Sequence, residues 1–513
     1  MDSVFKQPSI FNAAADFVEG NLKQGRGEKV GFYYRDEKYT YNQIHNFVRR
    51  TARLLLELGL EPENRIAILL PDTPEFVFAF WGAIWLGAVP VPINTASTIE
   101  DIQYILQDSR AKILLTTQAW QEKLAPLQSQ CLRHVLLVNG ENSFMHLLHQ
   151  QDELLASAET SGDEPAFWLY TSGSTGKPKG VIHLHQSMGV CSQHYGNAIL
   201  GLHEDDIVYS VAKMPFAYGL GNTLYMPMAV GAAAVLSDAN NAFDIISDIQ
   251  RYRPTVLFGI PSAYAGMLSV HEIAPLDVSS LRLCISAAEQ LPKTIWYKWR
   301  EIYGLEICEG IGTTELLHIF LSNRPGECRP GSSGRPVPGY EVRVVDENGS
   351  PLAPGEIGDL EVSGDSLMLG YWNRLRETRA ALYGKTMRTG DKYLRDADNY
   401  FWFMGRKDDF FKINGMWVSP FEIEDVLLQH ECVLDTAVLP ESNNGEHLNQ
   451  IIAYVSLKAG VTASSELEES IRQLARTKLL HFKAPKKIHF LETLPRTPTG
   501  KIHRRSLRQI ANV

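Results

Sequence analysis

Residues 170–180 read Tyr-Thr-Ser-Gly-Ser-Thr-Gly-Lys-Pro-Lys-Gly. Hydroxyls and glycines are interleaved directly after an apolar stretch, AFWLYT (166–171), and two lysines follow. Small residues let backbone N–H groups and hydroxyls wrap an oligophosphate, while the lysines offset its charge. Thr171, Ser172, Gly173, Ser174, Thr175, Gly176 and Lys177 are therefore the candidate phosphate-binding residues. The loop is not a P-loop, which needs GxxxxGK followed by Ser or Thr and runs into a helix; here Pro178 follows Lys177. A flexible linker is the plain alternative, but the flanks AFWLY and GVIHLH are strand-like.

Four further segments carry residues suited to the same chemistry. In GIGTTE (310–315), Glu315 offers a hard oxygen to a phosphate-bound magnesium, behind Gly310, Gly312, Thr313 and Thr314. In RTGD (388–391), Asp391 can accept both hydroxyls of a ribose, although Asp after Gly by itself marks a turn. Arg406 in GRKDD supplies a fixed cation; beside two aspartates its default is a surface ion pair. Lys501 in PRTPTGKIHR (495–504) sits on a proline-rich turn, exposed and mobile by default. His183 and His185 alternate on a strand at a metal-binding spacing. No third ligand is near, which leaves packing or pocket positioning.

Taken together, these motifs resemble those of the acyl-adenylate-forming enzymes: acyl-CoA synthetases, adenylation domains and luciferases. They occur in the family's order through nearly the whole chain. The resemblance implies that 310–315 is the adenine and magnesium motif, that Asp391 and Arg406 meet the nucleotide, and that Glu289 joins that set. It implies a hinge at Asp408 within GRKDDFFKINGMWVSPFEIE (405–424), a thiol tunnel lined by Gly415, and Lys501 bridging acyl carboxylate and α-phosphate. Lys501, Glu315 and His185 are the catalytic candidates. The implied substrate is MgATP, with no tightly bound metal. A carboxylate attacks the α-phosphorus to give acyl-AMP and pyrophosphate, and a thiol then takes the acyl group. Positioning and charge stabilisation carry such a reaction.

Within that superfamily PFAYGLGN (215–222), TTELLHIFLSNRPGE (313–327), RPVPGY (335–340) and NGMWVSPFEIE (414–424) are most similar to benzoate-CoA ligases. The implied acid pocket is Ala217, Tyr218, Gly219, Ala287, Ala288, His318 and Ile319, compact and apolar with polar tips. Phe216–Gly219 holds no acid, and a buried ammonium without a counter-ion is costly, so amino acids are disfavoured. Two departures stand out: Ala288 where the relatives carry glycine, and Pro215 where an aromatic is expected. Expected partners are a small aryl or short acyl acid, ATP and coenzyme A. A carrier protein's phosphopantetheine is the alternative acceptor; neither nucleic acid nor a membrane is expected.

The elements that must position these residues are legible as alternation. Of the 513 residues 44% are hydrophobic and 21% charged, ordinary globular figures that exclude disorder and coiled coil. Strands are predicted at 65–70, 112–117, 166–171, 206–212, 232–236, 255–260 and 281–286, with helices between most of them, which argues for parallel sheets. Thr40 and Gln43 form a capping-box spacing at a helix start. The uncharged run Phe76–Ile93 reads as a buried helix of about four turns rather than a membrane span, because Pro90 and Pro92 break its end. Gly/Pro-rich GSSGRPVPGY and the alternating EVRVVDENGSPL predict a change of texture near 330. The fold expected is α/β: a large N-terminal domain (1–405) of helix-covered sheets with a small β-barrel-like subdomain, and a smaller mobile α+β C-terminal domain (406–513).

Charge is uneven. Residues 471–513 carry eleven Lys/Arg and one acid, net +10, which leaves −20 for 1–470 within a total of −10. Such a tail should attract a polyanion, a nucleotide, coenzyme A or an acidic partner. Six scattered cysteines without a CxxC pair fit a reducing compartment, and the first residues lack a secretory pattern, so the expected location is cytoplasmic.

Overall fold

The computed structural model describes residues 10–124, 130–154, 156–171, 177–406, 410–413, 416–442, 449–458, 460–496 and 502–511. The chain divides into two compact units, one of residues 1–342 with 362–387 and one of 343–361 with 388–513.

In the first unit the alternation predicted from sequence builds a nine-stranded sheet. Its six inner strands run parallel, in the order Ile307–Gly312, Leu283–Ser286, Val256–Gly259, Ile207–Ser210, Ala233–Leu236, Val30–Tyr34. Antiparallel strands Ile319–Ser322 and Glu37–Thr40 flank this set. Three of the six inner strands are buried end to end, as expected for parallel strands covered on both faces. Tyr209, Leu257, Tyr264, Cys284, Trp296 and Trp299 pack the core between the sheet and its helices.

A second, all-parallel sheet runs Val89–Pro92, Arg65–Leu69, Ile113–Thr116, His134–Leu137. The helix Tyr41–Glu57 starts at the predicted box: Gln43 N–H donates to Thr40 Oγ1 and Thr40 N–H to Gln43 Oε1. The uncharged run departs from its reading. Its helix spans only Pro74–Trp85, with Phe76 to Trp85 all buried, and Val89–Pro92 is a strand at the edge of the second sheet. Val89 and Ile93 donate inward, to the carbonyls of Asn64 and Ile68, so positions 90 and 92 face outward. There a proline's missing N–H breaks no ladder bond. No helix among the described residues is long and apolar enough to cross a membrane.

The stretch 166–171 is also differently placed. Pro165–Thr171 pairs antiparallel with Lys179–Leu184, which pairs antiparallel with Gly370–Tyr371, forming a third small sheet. The phosphate-loop segment thus connects two antiparallel strands rather than a strand and a helix.

The second unit contains strands 343–345, 357–361 and 388–395, with Phe401–Arg406 paired to the last of these. Further on, Val433–Ser442 and Asn449–Leu457 run antiparallel, with Lys487–Phe490 parallel to the latter. Helices Pro420–Leu427 and Ser465–Lys478 pack on this sheet through Ile423, Leu427, Ile471 and Ala475. Much of the basic excess is internally matched: Arg472 and Arg476 pair with Glu468 and Glu469, Lys483 with Glu422, Arg496 with Asp435 and Arg504 with Glu424. The polyanion argument from bare charge counts is weaker for that reason.

Candidate functional site

Strand ends on the carboxyl side of a parallel sheet are where ligands bind in this architecture. The first unit's predicted residues lie there: Tyr218 after Ile207–Ser210, Ala287 to Glu289 after Leu283–Ser286, and Thr313 to His318 after Ile307–Gly312.

Ser172, Gly173, Ser174, Thr175 and Gly176 lie outside the described residues; their flanks are fixed. Tyr170, next to Thr171 on the entering strand, donates to Asp108 Oδ2 at 2.8 Å. Thr171 pairs in register with Lys179 on the leaving strand. Lys177 is exposed and its Nζ lies 5.1 Å from the ring centre of Tyr104. Lys179 Nζ lies 5.0 Å from that of Tyr371. Such stacking holds an ammonium without neutralising it.

The 310–315 motif follows from close packing. A Cβ on Gly312 would lie 2.2 Å from the His318 carbonyl oxygen, so the chain can double back only with glycine there. A Cβ on Gly310 would lie 3.0 Å from Ile319 Cγ2, a milder crowding, and Ile319 is buried between paired strands. Thr313 Oγ1 accepts from Leu316 N–H and closes a short turn over Thr314–Leu316. Glu315 is half-buried, and Tyr371 Oη–H donates to its Oε1 at 2.7 Å.

The two histidines separate. His183, fully buried and stacked on Phe167, donates from Nε2 to the Thr314 carbonyl at 2.8 Å. Burial pushes its imidazole down to about 4, so it is neutral. His185 starts a helix and its Nδ1 accepts the Ala13 N–H at 3.1 Å, with burial again lowering it to about 4. His183, rather than the catalytic candidate His185, is the one that meets the 310–315 motif. The HxH spacing pointed to both, but the alternation ends where the helix begins at His185. Among the described residues no group of three or more His, Cys, Asp or Glu is arranged to hold a metal.

The pocket candidates form a ring-lined region. His318, 2% exposed, lies with its ring centre 5.6 Å from that of Tyr218 and 5.3 Å from that of Tyr195. Its Nε2–H donates to Asn222 Oδ1 at 3.1 Å. Burial holds the imidazole down at about 3, with only the Tyr218 carbonyl pulling the other way. Tyr218 Oη–H donates to the Gly259 carbonyl at 3.3 Å, at the end of a parallel strand, and burial raises its phenol well above the usual value. Ala217, next to Tyr218 in sequence, and Ala287, directly after the strand Leu283–Ser286, are buried.

Gly219 serves the backbone: a Cβ there would lie 2.1 Å from the Lys213 carbonyl oxygen. The segment 213–219 is held further by Asp72, whose Oδ1 accepts the Met214 N–H at 3.0 Å, and by Lys213, whose Nζ donates to the Ser237 and Ala239 carbonyls. Burial pushes the Asp72 carboxyl up to about 6, with Lys213 opposing. Sequence reasoning missed Asp72, Tyr195, Asn222 and Tyr371; none stands in a spacing that signals chemistry. Ala288 has φ +75°, the left-handed region that favours glycine, so the departure noted in sequence carries strain. Glu289 beside it is half-buried.

In the second unit Asp391, 3% exposed, and Arg406 face each other in register on neighbouring strands, with Arg406 Nη1 3.1 Å from Asp391 Oδ1. Asp408, Gly415 and Lys501 lie outside the described residues. Next to Lys501, Arg496 and Ile502 form an antiparallel bridge. Arg504 donates to both oxygens of Glu424, which ties the PRTPTGKIHR segment to FEIE.

The fold, the glycine-and-hydroxyl loop between strands and the carboxylate at a strand end define an enzyme of nucleotide-dependent acid activation. The chain belongs to the AMP-binding enzyme family: the family's main domain matches residues 20–372 and its C-terminal domain residues 422–501. It is 39% identical over 510 residues to the benzoate–CoA ligase of Thauera aromatica, covering 98% of this chain and 97% of that one. It is 40% identical to the 4-hydroxybenzoate–CoA/benzoate–CoA ligase of Rhodopseudomonas palustris, covering 98% and 94%. The crystal structure of the anthranilate CoA ligase AuaEII in complex with anthranoyl-AMP superposes with a TM-score of 0.94 at 37% identity, covering 98% of each chain.

Proposed function

We propose that this protein is an AMP-forming aryl acid–CoA ligase. It activates a benzoate-class carboxylic acid with MgATP to the acyl-adenylate, releases pyrophosphate, and passes the acyl group to coenzyme A in the cytoplasm. The observation that carries this reading is identity of 39–40% to benzoate–CoA ligases across almost the whole of both chains.

In this reading Thr171 to Lys177 wrap the triphosphate and Glu315 takes the magnesium that arrives with it. Glu289, Gly310, Gly312, Thr313 and Thr314 bound the adenine side. Asp391 and Arg406 serve the ribose. Lys501 offsets charge between carboxylate and α-phosphate, and His185 belongs to the supporting packing. Domains 1–405 and 406–513 move about Asp408, and Gly415 lines the thiol's path. The acid sits against Ala217, Tyr218, Gly219, Ala287, Ala288, His318 and Ile319. A neutral imidazole and a neutral phenol suit an aryl ring that must shed water, and they offer no counter-ion to an ammonium.

The test is an ATP-dependent pyrophosphate assay over benzoate, 2-aminobenzoate, 4-hydroxybenzoate, short aliphatic acids and α-amino acids. Mass spectrometry then follows coenzyme A and a phosphopantetheinylated carrier protein. Aryl-CoA formation from benzoate-class acids is expected. Turnover confined to amino acids would refute the pocket reading, and product found only on the carrier protein would refute the acceptor.

A further inference from the structure

Tyr371 is a residue with no signal in the sequence motifs and with contacts to two charges of the candidate site. It ends the two-residue strand Gly370–Tyr371, where it pairs with Val181 on the strand leaving the phosphate loop. Its backbone N–H donates to Thr378 Oγ1 at 3.0 Å, and Thr378 Oγ1–H donates in turn to the Arg374 carbonyl at 2.9 Å. The short strand is therefore held from behind by its own following helix. Three residues earlier, Met368 N–H donates to the Glu315 backbone carbonyl at 2.8 Å. The segment 368–371 thus grips Glu315 twice: at its main chain through Met368, and at Oε1 through the Tyr371 hydroxyl at 2.7 Å. The face of the same phenol ring carries Lys179 Nζ at 5.0 Å.

We infer that Tyr371 is a positioning residue for the magnesium step: its hydroxyl fixes one oxygen of Glu315 and so leaves the other aimed for the cation of MgATP. The inference rests on the reading of Glu315 given above. The chemistry is directional. A phenol that donates to a carboxylate removes its rotational freedom, and a hard dication binds best to an oxygen held still. The ring contributes separately, because an ammonium over its face keeps Lys179 on the loop side of the same group. One side chain therefore ties the position of the carboxylate to that of the strand that follows the phosphate loop.

Tyr371→Phe keeps the ring and the lysine contact and deletes only the donor. Pyrophosphate release with benzoate is titrated with free magnesium at saturating ATP, in the full-length protein, in Tyr371→Phe, Glu315→Gln and the double variant. Thermal unfolding of each variant reports whether the fold is kept. The half-saturating magnesium concentration in Tyr371→Phe should rise about three- to tenfold, the loss of one hydrogen bond. The deficit should be recovered as magnesium is raised. In the Glu315→Gln background the tyrosine change should add less than about twofold, since the two act through one oxygen. An unchanged magnesium requirement in Tyr371→Phe, with a raised one in Glu315→Gln, overturns the positioning role alone. Equal effects of Tyr371→Phe in both backgrounds overturn it too. An unchanged requirement in Glu315→Gln overturns the reading of Glu315 and the inference with it.

Discussion

The turn from Thr313 to His318 carries two side chains, three residues apart, that treat polarity in opposite ways. Glu315 stays half in water, one oxygen on a phenol, within a neighbourhood that also holds Lys179. His318 is dry among tyrosines, bonded to an amide, with its imidazole held neutral by burial. In the proposed reading, charge is kept where a hydrated cation and phosphates exchange, and neutral polar tips are kept where an aromatic ring loses its water. A charge moved from the first setting to the second costs several kcal/mol of desolvation, whereas a neutral group in the first supplies no field.

The largest test of this contrast removes charge from the phosphate side. Lys501→Ala should slow acyl-AMP formation about 10²–10³-fold, the worth of a preorganised cation at the transferring group. Thioester formation from preformed acyl-AMP should survive; measured separately, equal damage to both steps would rule out a role confined to adenylation. The converse change puts a charge into the dry side. Ala217→Asp should lower kcat/KM for benzoate about 10²-fold, because a buried carboxylate must be desolvated and repels the substrate's own. Unaltered kinetics in a folded variant would remove Ala217 from the pocket.

Next comes pH. The imidazoles of His183, His185 and His318 are held down near 4, 4 and 3, against about 6.5 in the unfolded chain. Below 6.5 the unfolded state binds more protons, so this contribution is present above 6.5 and lost as pH falls toward those values, by up to about 1.4 kcal/mol per pH unit per group. Asp72 runs the other way: raised to about 6, its contribution is present below 3.8 and lost as pH rises through 6. Three imidazoles outweigh one carboxyl. The melting temperature should therefore fall from pH 6.5 to 4, and His318→Phe should flatten that limb. A flat profile in the unaltered protein would contradict the neutral, buried assignment.

The smallest effect concerns Ala288. Ala288→Gly should stabilise the protein by about 0.5–1 kcal/mol in chemical denaturation, by relieving a left-handed alanine. It should also raise turnover of bulkier ring-substituted acids. A destabilised glycine variant would show that the turn is not strained.

Hydrophobic pattern found six of the parallel strands, because buried strands need continuous apolar runs, but not those at Val30–Tyr34, His134–Leu137 and Ile307–Gly312; the capping box at Thr40 is a local device. What escaped was set by contacts distant in sequence. The strand at Val89–Pro92 carries two prolines and is tolerable only because those positions face an edge. The antiparallel strand at 165–171 looks like its parallel neighbours until its partner is known. In the site, the glycines and Glu315 lay in recognisable motifs. Tyr371, Asp72 and Asn222 meet the site through bonds to residues 56, 142 and 96 positions away, which no local spacing announces. Ala288 was visible as an unusual residue, but its strain is a property of the backbone angle.

The prolines of that edge strand bear on how the chain survives its own synthesis. Residues 76–93 are the most apolar stretch of the protein and carry no charge that would repel another copy. An ordinary strand there would offer a row of amide donors to any extended segment it met before folding finished, and would grow by addition. With Pro90 and Pro92 turned outward, that rim has no N–H to give at alternate positions. Along Val89–Pro92, therefore, that side of the apolar run is poorly suited to template a further strand.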